Sequence, residues 1–260
     1  MAPRRLAAVL GLLVLVVLAS GCIAFEPPSD DDPDVEAVFE GAFVHNDDLE
    51  DVSGERVSEV TDGNHTHTSV EQVYERPYVD YRTESLETEG EEEAEIYVSN
   101  ATVSWWYYPD SEWATYFEDD ESFDSDDVRS ARAEMADRQL DLYDLEYRGT
   151  EQVADREAHV LDVEIKDEAV EEGVSVLVGD TEYVYALETV DPSDELEAVE
   201  QTIWIDVEYD YPLKEQLIFE GPDGDRHSWT ERFETVTFNS GLEDERFAFE
   251  PPENTTVDES

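Results

Sequence analysis

The side chains in this 260-residue sequence that first invite a chemical reading are its five histidines, its one cysteine and its 71 aspartates and glutamates. His65 and His67 stand two apart, a spacing that puts two imidazoles on one side of a strand and could begin a metal site. His45, His159 and His227 are remote in sequence, and Asn64 sets the pair beside a turn, so a surface loop is the plainer reading. At this density of acids, a carboxylate pair at glycosidase spacing can be drawn almost anywhere, which removes its diagnostic value. The run Asp30-Asp31-Asp32 lacks the glycine turn and the distal glutamate of a calcium loop. No zinc-peptidase, paired-cysteine, nucleophile-elbow, phosphate-loop or dinucleotide motif occurs. The expectation is therefore a protein without catalytic residues, metal ligands or cofactor.

Cys22 is different, because its position carries meaning. Arg4 and Arg5 precede an uncharged stretch over 6–18, made almost entirely of Leu, Val and Ala, and Ala19-Ser20-Gly21-Cys22 follows. This is the layout of a signal peptide over 1–21 whose end resembles a lipobox, where the thiol takes a lipid and the chain is cut before it. The apolar run is short of the roughly 20 residues that cross a bilayer. Pro3 before the arginine pair and Leu6-Ala7-Ala8 after it fit a twin-arginine signal poorly, and the export route stays open. The mature chain would hang by Cys22 from the outer face of the cytoplasmic membrane, on an acidic, proline-rich tether over 22–33. A lipidated Cys22 leaves no thiol for a disulfide or a nucleophile.

Fifteen Lys and Arg against 71 acids give a formal net charge of -56, with only Lys166 and Lys214 as lysines. Such a surface repels itself unless salt screens it, and at molar salt the screening length falls to about 3 Å. Acid excess with scarce lysine points to a halophilic protein, and the same charge argues against nucleic acid as a partner. Thirteen Tyr, 10 Phe and 5 Trp supply a core that a disordered acidic chain would lack.

The elements that must carry any site read as follows. Val35, Val38, Phe39 and Ala42 have helical spacing within 34–49, and 126–142 forms a clear amphipathic helix with Val128, Ala131, Met135 and Leu142 on one face and Asp126 as cap. Strand patterns cover 54–61, 66–76, 78–88, 93–100, 102–108 and 111–118 before that helix. After it come 144–151, 154–166, 174–188, 199–209, 212–220, 225–239 and 246–249. Leu161, Val163 and Ile165 alternate with acids, as do Ile203, Ile205 and Val207, so each strand has a dry face and a wet one. The fold class expected is α+β: a curved antiparallel sheet forming an unclosed half-barrel, with one or two helices on its dry concave face. The domain would span 34–257.

Trp105-Trp106-Tyr107-Tyr108 places aromatic rings on both faces of one strand. They can be core on both sides, or one face can line an apolar cavity for a lipid-like ligand. The candidate lining is Trp105, Tyr107, Met135, Tyr183, Tyr185 and Trp204. Asn64, Asn100 and Asn254 begin Asn-x-Thr sequons and are candidate glycosylation sites.

Three segments have a family texture. Residues 144–161, Asp144-Leu145-Glu146-Tyr147-Arg148-Gly149-Thr150 through Ala154-Asp155-Arg156-Glu157-Ala158-His159-Val160-Leu161, resemble a stretch of exported haloarchaeal lipoproteins. Trp204-Ile205-Asp206 leading to Tyr211-Pro212-Leu213-Lys214 resembles a second, and Phe238-Asn239-Ser240-Gly241-Leu242 with Phe247-Ala248-Phe249-Glu250-Pro251-Pro252 a third. Together they look like the LolA/RseB-like superfamily, over roughly 34–257. That resemblance implies a half-barrel that binds lipid or lipoprotein acyl chains, or a sensor that binds envelope proteins. It also implies an arginine in the cavity, and no motif chooses among Arg56, Arg76 and Arg82. A membrane tether at Cys22 favours local capture over ferrying between membranes. The alternative is an envelope sensor or structural protein-binding module without lipid.

Overall fold

The computed structural model describes residues 33–62, 65–87, 94–118, 122, 124–166, 174–178, 181–185, 197–220 and 224–259. The signal peptide, Cys22, nearly all of the tether and Asn64 lie outside the described residues. Helix α1 spans Val35–Val44 and α2 spans Ser125–Leu142. Six strands separate them: β1 (Val52–Asp62), β2 (His65–Arg76), β3 (Asp80–Glu87), β4 (Ile96–Ser99), β5 (Val103–Tyr108) and β6 (Trp113–Glu118). After α2 come β7 (Tyr143–Val153), β8 (Arg156–Ile165), β9 (Val174–Val178), β10 (Thr181–Tyr185), β11 (Glu197–Asp206), β12 (Pro212–Glu220), β13 (Arg226–Phe238) and β14 (Thr256–Glu259).

Twelve strands form one sheet in the order β14-β6-β5-β4-β3-β2-β1-β13-β12-β11-β8-β7, and β9 pairs with β10 as a separate hairpin. Its two edge strands, β14 and β7, do not pair with each other, so the sheet is unclosed. All its pairings are antiparallel except that of β14 with β6. This is the α+β half-barrel, with two helices on one face.

Three local expectations are revised. The segment 246–249 is not a strand: Asp244–Phe247 is a 3-10 turn, and the last strand forms beyond Pro251-Pro252 at Thr256–Glu259. The span 174–188 divides into β9 and β10 around 179–180. Helix α2 is capped by Asp124, whose carboxylate accepts from the Asp126 N–H, and it buries Ala136 and Gln139 while Ala131 is exposed. Position matters more than moment here, because the helix packs by its C-terminal half.

Helix α1 buries Val38, Phe39, Ala42 and Phe43, the i, i+1, i+4, i+5 stripe of an amphipathic helix. They pack on Leu161, Val163, Ile203 and Ile205 together with Ala136 and Tyr143. Leu161 and Val163 of β8 and Ile203 and Ile205 of β11, read as dry in the sequence, are thus the floor beneath α1, whereas Val207, read on the same stripe, lies past the end of β11 and is exposed. A second cluster gathers Leu49, Val52, Val73, Tyr211, Leu213 and Phe233. Gly54 interrupts β1 because a Cβ there would stand 2.1 Å from the Thr235 carbonyl oxygen, next to the register shift between Glu55 and Arg56.

The family-like segments turn out to be joints. Ala154 and Asp155, with φ of 49° and 62°, make the two-residue turn from β7 to β8. Asp206, fully buried, accepts through Oδ1 from the Glu208 and Tyr209 N–H groups and so closes the corner from β11 to β12. Both Asp206 oxygens also accept from Arg156, at 2.8 and 2.9 Å. Asn239, with φ of 56°, accepts from Glu50 N–H and donates to Asp48 O, which pins the end of β13 to the start of β1.

Candidate functional site

Paired residues in antiparallel strands share a face. Ile203 pairs with Leu161 and Glu215, Glu215 with Glu231, and Glu231 with Ser58, two residues from Arg56. The same face therefore carries the apolar floor under α1 and, toward β1, a cluster of charge. Between α1 and the floor lies a narrow cleft with room for about 30 Å³, the space of a water molecule or two, among the buried side chains of Phe39, Phe43, Val163, Ile203 and Ile205. A second cleft with room for about 20 Å³, lined by Arg56, Tyr211, Glu231 and Phe233, shares Pro212, Lys214 and Glu215 with the first.

Three polar side chains interrupt the apolar cleft: Gln139 from α2, Gln201 from β11 and Glu215 from β12. Gln201 Nε2 donates to Glu215 Oε1 at 2.7 Å. Gln139 is 3 % exposed, and its Oε1 meets no donor. In the adjoining cleft Arg56 Nε and Nη2 donate to Glu71 Oε1 at 2.8 and 2.6 Å, Nη2 also donates to Tyr81 Oη at 2.8 Å, and Nη1 lies 3.2 Å from Glu231 Oε1. Burial works against the guanidinium charge. Tyr81, Glu231 and Glu71 outweigh it and hold the Arg56 pKa well above the ordinary arginine value. Beyond Tyr81 the aromatic rings of Tyr97 and Trp106 follow on the same face, at centroid spacings of 6.0 and 5.0 Å.

Among the three arginines, Arg56 is thus the one on the cleft wall. Arg76 is held by Asp80 and Asp244 and lies 5.0 Å over the Phe247 ring, while Arg82 donates to Glu84 and to the Arg246 carbonyl.

The aromatic candidates are dispersed. Trp105 and Tyr107 pack on the opposite face, against Phe249 at 5.6 Å each, and Trp105 stacks on Tyr116. They do not line the cleft, because the C-terminal segment covers them; the rings that β5 turns to the other face are Trp106 and Tyr108. Trp204 alternates with Ile203 and Ile205 and turns away from the cleft. Its indole N–H donates to Glu151, and the Lys214 ammonium stands 3.7 Å over its ring. Met135 packs against the cluster beneath α1. Tyr183 and Tyr185 fall on β10, and their side chains lie outside the described residues. Asn100 Oδ1 accepts from the Thr102 and Val103 N–H groups, and Asn254 is exposed. His65 is exposed at the start of β2. Among the described residues, no group of three or more His, Cys, Asp or Glu is placed to hold a metal ion, and no helix is long and apolar enough to cross a membrane.

Gln139, Gln201 and Glu215 were missed as site residues, yet a signal existed. Gln139 sits three and four residues from Ala136 and Tyr143 on the buried line of α2, and Gln201 precedes Ile203 and Ile205 on a dry stripe. A polar residue in an apolar register is the mark of a site or of a satisfied core network.

The class defined by this architecture is an α+β unclosed half-barrel with an amphipathic cleft between its first helix and its sheet. Solved structures similar to the chain include an uncharacterized conserved protein from Thermus thermophilus, at 10 % identity and TM-score 0.46 over 86 % of this chain and 97 % of that one. A second is the Pseudomonas aeruginosa MucA/MucB complex, at 14 % identity and TM-score 0.45 over 82 % of this chain and 59 % of that one. A third is a LolA superfamily protein from Nitrosomonas europaea, at 11 % identity and TM-score 0.35 over 84 % of this chain and 99 % of that one. Each likeness is one of fold alone, and the third bears the superfamily name that the sequence texture resembles. No family model matches the sequence, and no curated protein matches it.

Proposed function

We propose that this protein is a non-enzymatic, extracytoplasmic binding module, anchored through Cys22 to the outer face of the membrane in a high-salt environment, that holds the acyl or isoprenoid chain of a lipid or lipoprotein in the cleft beneath α1. The observation that carries this reading is the apolar seam between helix and sheet: Phe39, Phe43, Ile203 and Ile205 meet there around a small cleft, and a chain would lie between them once α1 moves off the sheet. Each CH₂ buried there contributes about 0.8 kcal/mol. Organic extraction of protein purified in molar salt, followed by mass spectrometry, should recover an apolar-chain molecule, and Ile203→Trp, which fills the cleft, should abolish its recovery. Recovery of no such molecule from the wild type, or equal recovery from the variant, counts against the cleft.

The anchor has its own test. Cys22→Ser should move the protein from the membrane fraction to the soluble fraction in high salt; a variant that stays membrane-bound refutes lipidation. The rival reading, a sensor of an envelope protein segment, draws support from the half-buried Tyr81, Tyr97 and Trp106 stripe that continues the helix-bearing face. Cross-linking that yields one defined partner protein and no lipid would favour it.

A further inference from the structure

We propose that the sheet face carrying Tyr81, Tyr97 and Trp106, over β3, β4 and β5, docks an extended basic protein segment whose arginine side chains stack on those rings. Among the described residues, α1 and α2 pack over β7, β8, β11 and β12, at the other end of the sheet. Register defines the face: Arg56 pairs with Glu71, Glu71 with Ser85, Thr83 with Tyr97 and Tyr97 with Trp106. Tyr97 and Trp106 are half-buried, with ring centroids 5.0 Å apart and planes tilted by 44°, so part of each ring meets solvent. Tyr81 lies 6.0 Å beyond Tyr97, and Tyr108 stacks on Trp113 at 5.3 Å. The inference deepens the protein-binding reading of this stripe and is independent of whether a chain enters beneath α1.

Charge chooses the occupant. Carboxylates bound the stripe at both ends: Glu71 next to Tyr81 through Arg56, and Asp258, which accepts from the Trp113 indole N–H at 2.9 Å. Among the described strands, the one guanidinium that pairing brings to this face is Arg56, and Glu71 and Glu231 already hold it. Elsewhere the chain covers rings with its own cations: Lys214 stands 3.7 Å over Trp204, Arg246 4.2 Å over Tyr74 and Arg132 5.4 Å over Tyr78. Among the described residues, no cation stands over Tyr97 or Trp106. An arginine from outside fits there, because its guanidinium is planar, weakly hydrated and attracted to an aromatic face. An anionic segment would instead meet Glu71, Asp258 and a chain of net charge -56. Alternate side chains of an extended segment recur at about 6.8 Å, near the 6.0 Å between Tyr81 and Tyr97, so successive arginines can reach successive rings.

Calorimetric titration in molar salt with the peptide acetyl-Arg-Gly-Arg-Gly-Arg-amide and its citrulline counterpart, which keeps the shape and loses the charge, tests this. Screening over about 3 Å removes the general attraction of an acidic surface and leaves direct contact. The wild type should bind the arginine peptide about ten-fold more tightly than the citrulline peptide, the worth of one or two cation–π contacts. Trp106→Leu and Tyr97→Leu should each lose most of that preference, while cooperative urea unfolding shows that the variants are folded. The same preference in both folded variants places binding elsewhere and overturns the stripe as the site. Equal binding of the two peptides by the wild type overturns the arginine selection and leaves a peptide-binding face. Binding of neither removes the protein-binding reading of this stripe and the inference with it.

Discussion

Arg156→Ala should destabilise the fold by about 3–5 kcal/mol, the cost of removing one partner from a buried ion pair. Asp206 has no exposed surface, and Arg156 meets both its oxygens at 2.8 and 2.9 Å while reaching Glu208 as well. Without the guanidinium, a carboxylate is left inside the protein with only the Glu208 and Tyr209 N–H groups to answer it. The loss extends beyond charge, because the guanidinium also lies 5.4 Å from the Tyr209 ring centroid and 5.0 Å from that of Phe238. Arg156→Lys should recover only part of the loss, since an ammonium cannot pair with both oxygens in a planar fork. Urea unfolding in molar salt measures both variants. A loss under about 1 kcal/mol for the alanine variant would mean that the pair behaves as a surface salt bridge.

Asp51→Ala should cost about 2–4 kcal/mol, by leaving several donors without an acceptor. The Asp51 carboxylate accepts from the Ser240, Gly241 and Leu242 N–H groups and from the Ser240 hydroxyl, in the segment that follows β13. Burial alone would raise the pKa of this carboxyl. The Ser240 hydroxyl and the backbone N–H groups outweigh it and hold the pKa below the ordinary aspartate value of 3.8. The folded state therefore binds its proton less readily than the unfolded chain. The contribution to stability is present in full above the unfolded pKa and is lost as pH falls from there through the folded value. The stability difference between wild type and Asp51→Ala should accordingly be largest at neutral pH and shrink toward about pH 3. A difference that stays constant across that range would show that the carboxylate charge contributes nothing to the joint.

Both predictions concern segments whose texture already stood out in the sequence, and the reason is physical. A turn needs a particular φ or a particular side-chain acceptor within a few residues, so Ala154-Asp155-Arg156, Asp206 through Tyr211 and Asn239-Ser240-Gly241 leave a local imprint. Strand alternation is local too, which is why most strand positions and the dry stripes of β8 and β11 could be read directly. The C-terminal segment was misread because Phe247 and Phe249 suggest an alternating strand. Their rings instead serve as a cover, Phe247 beneath Arg76 and Phe249 against Trp105 and Tyr107.

The sequence by itself determined the class of fold, its acid-laden surface, the alternation of the strands and the absence of any recognisable catalytic motif, because each of these is written in composition or short-range period. Only the tertiary structure decided which face became the cleft. In an antiparallel sheet, a run of aromatics such as Trp105-Trp106-Tyr107-Tyr108 serves both faces equally, and the choice belongs to whatever packs there: helices α1 and α2 on one side of the sheet, the segment around Phe249 on the other. Long-range register likewise set Glu231 and Glu71 around Arg56 and brought Gln201 to Glu215. Residues far apart in the chain meet only once the strands are paired, and no periodicity within one strand encodes the partner across the sheet.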